Sequence, residues 1–371
     1  MATPPGADGP DLPRCRMLRS DERKGAVAAT LHDVSKLAGV SIKTVSNVIH
    51  DYPYVREATR TRVLEAIAEL GYTPNLSARN LRTGKTNVIS LIIPELRNAY
   101  FAELADSVMR AASEHDYAVL IEQFGNTRDD ELAVLRKARG QMVDGVLYSV
   151  LALTEDDKAL LADVPTPMVL LGERIFHGPK DHVTMQNAEG SRAATESLLR
   201  AGRRRIAALG AHPGEVIGSA GLRLAGYREA LEAWQVPFDE SLVIPVGTWH
   251  RADGAAAMRS FLTRNREFDA VVAFNDTLAF GALRVLQEAG FRVPGDVAII
   301  GFDDIDETRY SMPTLSTIDP GRDEIARQAV DLLLRRIDEG SPVSDPIEIA
   351  VPFQLIERES SRSAAVPQPQ R

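Results

Sequence analysis

Between Thr30 and His50 the chain reads TLHDVSKLAGVSIKTVSNVIH, and its second half concentrates side chains suited to reading a duplex. On a helix, Ile42, Lys43, Ser46 and Asn47 share one face, at spacings i, i+1, i+4 and i+5, while Val45, Val48 and Ile49 share another. Lys43 suits guanine N7 and O6, Asn47 suits adenine, and Ile42 suits a thymine methyl. The hydroxyls of Ser41, Thr44 and Ser46 suit phosphates, which set register rather than sequence. Other candidate chemistry is weaker. Thr83-Gly84-Lys85-Thr86 has the end of a phosphate loop, but position 79 is Arg79 where that loop needs glycine. Asp276 and the pair Asp303-Asp304 are possible acids or bases for an enzyme acting on sugars. Adjacent carboxylates at one strand end point apart, however, and no nucleophile, metal cluster or phosphate loop accompanies them, so the reading is of a protein without catalysis, metal or cofactor.

The elements that must position these residues are legible. Thr30-x-x-Asp33 is a capping box, Leu31, Val34, Leu37 and Ala38 recur at helical spacing, Gly39 stops that helix, and Ser41 starts the next. A third amphipathic helix carries Val63, Leu64, Ile67 and Leu70 and ends at Gly71. Two short helices across a glycine turn form the helix-turn-helix of DNA readers. From Asn87 the pattern changes to apolar strand-like runs, Val88–Ile93, Tyr117–Ile121, Gly145–Ser149 and Met168–Leu171, then Arg205–Leu209, Ala270–Phe274 and Val297–Ile300. Helical stretches such as Phe101–Glu114, Glu131–Arg139 and Asn275–Ala289 alternate with them. Alternation of this kind predicts doubly wound parallel sheets.

The 371 residues exceed one ordinary domain, and the formal charge of −9 argues against a nucleic-acid binder until its distribution is seen. Residues 31–86 hold eight basic and five acidic side chains, a net of +3, leaving −12 for the remainder. A basic part suits phosphates while an acidic part discourages non-specific DNA. Cys15 is the lone cysteine, so no intrachain disulfide forms. Residues 1–28 lack the apolar core of a signal peptide and read as a disordered tail, which predicts a cytoplasmic protein rather than a secreted sugar receptor. Residues 358–371 likewise read as a polar tail.

TLHDVSKLAGVSIKTVSNVI, TRTRVLEAIAELGYTPN and ARNLRTGKTNVISLIIPE, followed by LRLAGY, FNDTLAFGALR, GFDD and TLSTI, resemble in order the lactose-repressor (LacI/GalR) family of bacterial transcription regulators, over about Thr30 to Glu357. The resemblance implies an all-α helix-turn-helix head at 29–74 and a hinge helix and linker at 75–86. It further implies a periplasmic-binding-protein-like α/β core at 87–357, with subdomains of about 87–186 with 320–350, and 187–319. Three crossovers are placed near Met185–Asn187, Thr317–Arg322 and Ile349–Pro352. It also implies a homodimer on palindromic double-stranded DNA, since the leucine heptads of tetrameric relatives are missing. Ile42, Lys43 and Asn47 match the family's base-reading positions. In the hinge helix, Asn75 caps, Ala78 and Arg79 lie along the helix, and two Leu81 side chains wedge a base step of the minor groove. Arg223, Trp249, Asn275 and Asp303 match effector contacts; Asn98, Tyr100, Tyr148, Ser149 and Arg174 fall in loops expected to face the same cleft.

This set suits a polyhydroxylated effector, a sugar, with a nucleobase or nucleoside as the alternative; a sugar receptor without a DNA role is the other. Two positions depart from the family: Arg56 stands where a serine usually caps the third helix, and Arg322 where some sugar binders have an aromatic. Replacing Leu81 by alanine is expected to lower specific operator affinity at least ten-fold and abolish DNA bending without altering effector binding, as measured by anisotropy titration and circular permutation assay.

Overall fold

The computed structural model describes residues 29–49, 51–72, 85–125, 127–138, 143–340 and 345–362, which fall into two compact units divided between Arg82 and Thr83.

The first unit is three helices, α1 (Leu31–Ala38), α2 (Ile42–Ile49) and α3 (Glu57–Leu70), around a core of Val34, Val45, Val48, Val63, Ala66 and Tyr72. Thr30 Oγ1 accepts from Asp33 N–H at 3.3 Å while Asp33 accepts from Thr30 N–H at 2.9 Å, closing the capping box. Gly39 and Gly71 end α1 and α3 at φ 63° and 57°, the left-handed conformation that glycine enters without a Cβ clash. Arg56 precedes α3 with no side-chain cap, as its chemistry requires. Leu37 and Leu64, expected on apolar faces, are 46% and 51% exposed. At 100° per residue Leu37 lies about 60° to one side of Val34, and Leu64 about 100° from Val63, so both fall at the rim of stripes that so small a core can cover.

The second unit holds two lobes. In the N-terminal lobe β1 (Val88–Ile93), β2 (Ala118–Gln123), β3 (Gly145–Ser149), β4 (Met168–Leu171) and β5 (Asp181–Met185) join β11 (Glu348–Val351) in the parallel order β11-β5-β4-β3-β1-β2. On one face Leu91, Leu147 and Val183 pack with α4 (Ala99–Ser113) and α11 (Arg322–Glu339); on the other, Ile92, Val146 and Tyr148 pack with Leu135, Leu153 and Leu161, from α5 (Arg128–Ala138), α6 (Lys158–Ala162) and the loop before α6. In the C-terminal lobe β6 (Ile206–Ala211), β7 (Val243–Pro245), β8 (Ala270–Ala273) and β9 (Ala298–Ile300) form a parallel sheet in the order β7-β6-β8-β9. It is flanked by α7 (Asn187–Arg200), α8 (Ser219–Ala233), α9 (Arg251–Leu262) and α10 (Asp276–Glu288).

The chain passes between lobes three times: from β5 into α7, from β10 (Thr317–Asp319) into α11, and from β11 into β12 (Gln354–Ile356), which pairs antiparallel with β10. Residues 358–362, expected in a disordered tail, are instead built into the C-terminal lobe. Ile299 N–H donates to Ser360 O at 2.9 Å, Ser360 Oγ donates back to Ile299 O at 2.7 Å, and Arg358 reaches Asp304 at 2.6 Å. The open edge of β9 takes these backbone groups, a partner that polarity alone does not reveal.

Helices α9 and α10 cross where each carries a glycine. A methyl group at Gly281 would collide with the Arg251 carbonyl oxygen and sit 2.5 Å from Ala255 N, backbone atoms with nowhere to go. Gly281→Ala is therefore expected to destabilise the C-terminal lobe by about 2 kcal/mol, a loss typical of overpacking. Both tryptophans, Trp234 and Trp249, lie in this lobe and report it in urea titrations.

Candidate DNA-reading face and ligand cleft

The face of α2 predicted to read bases is open: Ser41, Ile42 and Lys43 are exposed, Ile42 at 46%, with Thr44, Ser46 and Asn47 half-buried beside them. Ser41 Oγ accepts from Thr44 N–H at 3.1 Å and lies 2.9 Å from Thr44 Oγ1, so these hydroxyls order the helix start. Behind it, Arg60 pairs with Asp51 and donates to Tyr52 O at 3.0 Å, fastening the turn that follows α2. Asn75, Ala78, Arg79 and Leu81 lie outside the described residues.

Within the second unit, a cavity of about 300 Å³ opens between the lobes, at the carboxyl ends of the parallel strands. That is where doubly wound sheets bind ligands. Asn98, Tyr100, Ser149 and Arg174 line it from one lobe, Arg223, Trp249, Asn275 and Asp303 from the other. Tyr148 does not. It is fully buried on the opposite face of β3, its ring 6.2 Å from Phe124, because neighbours along a strand point to opposite faces and Ser149 takes the cleft side.

Arg223 is the centre of the site. Its Nε donates to Asn187 Oδ1 at 2.7 Å, its Nη1 to the Phe274 carbonyl, and its Nη2 stands 3.7 Å from Asp303 Oδ1. The guanidinium stacks 3.7 Å from the Phe302 ring centroid and 5.3 Å from that of Trp249. Burial pushes Asp303 up to about 7, against the pull of Arg223 and then Arg322. Asp303 also sits at φ 117°, held by its N–H on Ile318 O at 2.8 Å and by Arg322 Nη1 on its own carbonyl at 3.0 Å. A non-glycine residue in that region persists only where its surroundings fix it.

Trp249 Nε1 donates to Gly210 O at 3.1 Å, which orients the indole beside the cavity. Asn275 lines the cavity with its amide already committed: Oδ1 caps α10 through Leu278 N–H at 2.8 Å and Nδ2 donates to Trp249 O at 3.3 Å. Asn98 similarly caps α4, accepting from Tyr100 N–H at 3.1 Å. Arg322 pairs with Glu103 at 2.7 Å and supports the Asp303 turn. Asp276 is buried behind that turn, accepting from Thr317 Oγ1 at 2.6 Å and Ile305 N–H at 3.1 Å, and burial beside Asp303 holds it well above the carboxylate range. It is a brace with no access to the cavity, so an acid or base role finds no support there.

The chain matches the model of bacterial regulatory proteins, lacI family, over residues 30–75 and that of a periplasmic binding protein-like domain over residues 195–361. It is 36% identical over 341 residues to the HTH-type transcriptional regulator CelR of Thermobifida fusca, covering 89% of this chain and 98% of that protein. It belongs to the LacI family of DNA-binding transcription regulators. Among solved structures, a putative LacI-family regulator from Sanguibacter keddieii is 50% identical, with a TM-score of 0.68 over 75% of this chain and 99% of that one. A CelR–cellobiose complex is 33% identical, with a TM-score of 0.66 over 90% and 99%. The lac repressor dimer bound to operator and the anti-inducer ONPF is 25% identical, with a TM-score of 0.78 over 91% and 100%. Among the described residues no helix is long and apolar enough to cross a membrane.

For this LacI-family chain, sequence reasoning missed cleft residues contributed by loops without a motif. Glu95, Glu173, His212, Glu215 and Ser219 all line the cavity. Several of them bridge the lobes: Arg174 to Glu215 at 3.1 Å, Ser219 Oγ to Glu173 at 2.7 Å and His250 to Glu95 at 3.2 Å. Glu131 acts from behind, its buried carboxylate accepting from the N–H groups of Leu151, Ala152 and Leu153 at 2.7–3.0 Å and so shaping the loop that walls the cleft.

Because the folded-state value of Asp303 lies above its unfolded one, the folded chain binds the extra proton between about pH 4 and pH 7, and stability falls as pH rises through that window. Asp303→Asn is expected to flatten that slope in melting temperatures measured from pH 4.5 to 7.5; an unchanged slope would show Asp303 already ionised.

Proposed function

We propose that this regulator is a dimeric repressor that binds a two-fold symmetric operator in the cytoplasm, with an affinity set by a sugar in the interlobe cleft. The observation that carries the effector reading is the Trp249 face beside the paired Arg223 and Asp303. An indole offers a flat apolar surface to the C–H groups of a sugar ring, and a guanidinium–carboxylate pair offers donors and acceptors to vicinal hydroxyls. Support comes also from the cellobiose held by the CelR structure that this chain resembles. Dimerisation is supported by the likeness to the lac repressor dimer.

The mechanism follows from the cross-lobe contacts. A ligand that touches both lobes favours the closed arrangement by its differential affinity, and the shift in lobe angle reaches the segment leading to the head. The coupling is reciprocal, so operator must alter effector affinity by the same factor. No bond of the ligand is broken, and it leaves the cleft unchanged.

The test is footprinting and anisotropy on operator candidates upstream of the gene itself, with and without a panel of sugars and nucleobases. A symmetric footprint is expected, with affinity changed at least ten-fold by a sugar and with Lys43→Ala losing discrimination at one position per half-site. Uniform weakening across sequences would reduce Lys43 to a phosphate contact, and a response to nucleobases alone would replace the sugar.

A further inference from the structure

The cleft is richer in negative than in positive charge. Four carboxylates line it, from Glu95, Glu173, Glu215 and Asp303, against two guanidiniums, from Arg174 and Arg223. Both guanidiniums already face a protein carboxylate. Arg174 donates to Ile217 O at 2.9 Å and to Glu215 at 3.1 Å, and Arg223 is held by Asn187, the Phe274 carbonyl and Asp303. Three of the four carboxylates have counter-groups: Glu215 has Arg174 and His212 Nδ1 at 2.8 Å, Asp303 has Arg223, and Glu95 has His250 at 3.2 Å.

Glu173 has no ion-pair partner among the described residues, although the charge of Arg223 reaches it. It is 6% exposed, its Oε2 accepts from Ser219 Oγ at 2.7 Å, and its Oε1 is buried with no donor among the described residues. Glu173 lines the cavity with one carboxylate oxygen short of a donor, so beside it a ligand group that donates is favoured over one that only accepts. A hydroxyl brings that donor. A phosphate or carboxylate brings mainly acceptors and a like charge, repelled in a low-dielectric site whose guanidiniums, among the described residues, already face protein carboxylates.

Resting on the sugar reading above, we propose that the cleft takes hydroxyl-bearing, non-anionic ligands and excludes their phosphorylated or carboxylated counterparts, and that Glu173 is the discriminating residue. Asp303 adds to the exclusion when ionised; Trp249, Phe101 and Tyr100 complete the wall without charge.

The test is titration calorimetry on the full chain in phosphate-free buffer with matched pairs: glucose and glucose 6-phosphate, glucose and glucuronate, cellobiose and cellobiose 6′-phosphate. In each pair that shows binding, the neutral member is expected to bind at least ten-fold tighter. In Glu173→Gln, checked by circular dichroism to be folded, that ratio is expected to shrink at least three-fold. Should Glu173→Gln fail to fold, the wild-type pairs decide the exclusion alone. An anionic member that binds as tightly as its neutral counterpart overturns the proposal while leaving the sugar reading intact. An unchanged ratio in a folded Glu173→Gln removes Glu173 as its cause. If no sugar binds and a nucleobase does, the sugar reading itself falls and this inference with it.

Discussion

A guanidinium sealed in protein has to be matched donor by donor, and Arg223 is where that requirement shapes the second unit. Its partners come from four places: Asn187 at the first crossover, the Phe274 carbonyl at the end of β8, Asp303 in the turn after β9, and the rings of Phe302 and Trp249. Removing any one leaves a buried charge short of a partner, so the cleft wall of the C-terminal lobe is fixed as a set. Burial depresses Arg223 and raises Asp303, and each is drawn back by the other's charge. The pair is thus preformed, and a ligand meets oriented donors and acceptors rather than having to assemble them.

Around this rigid centre lie contacts of another kind. Arg174 with Glu215, Glu95 with His250, Glu103 with the Asp306 N–H and Arg322 with the Asp303 carbonyl join the two lobes through side chains that keep some exposure. Each of these contacts is one side chain meeting one group across the cleft, unlike the convergent set around Arg223. Convergent sets of partners hold the shape of each wall, and single contacts join the walls. Glu131 belongs to the first kind: three backbone N–H groups converge on one carboxylate, fixing the 151–153 loop more firmly than a surface pair would.

The head follows a similar economy. Its core is mostly valine and alanine, too small to cover every apolar side chain, and its helices are set by caps: the Thr30–Asp33 box, Ser41 on Thr44, and glycines at 39 and 71. Leu37 and Leu64 remain at the surface as a consequence. The face of α2 that carries Ile42 and Lys43 is open because Val45, Val48 and Ile49, on the other side, anchor that helix.

Local chemistry was enough to determine the helix starts and stops, the alternation of strands and helices, and the run of motifs that marks the LacI family, since each depends on residues within a few positions of one another. The shared face of Ile42, Lys43 and Asn47 on α2 was legible for that reason, and the place of Arg223, Trp249 and Asp303 in the cleft through the motifs that carry the family resemblance. Tertiary structure decided the rest. Which side of β3 faces the cleft excluded Tyr148 and admitted Ser149; the unpaired edge of β9 drew residues 358–362 out of the expected tail. Glu173 and Glu131 acquire meaning only beside Ser219 and the 151–153 loop. The charge and hydrogen-bond balance of a buried site is a sum over residues distant in the chain, and no local pattern carries that sum.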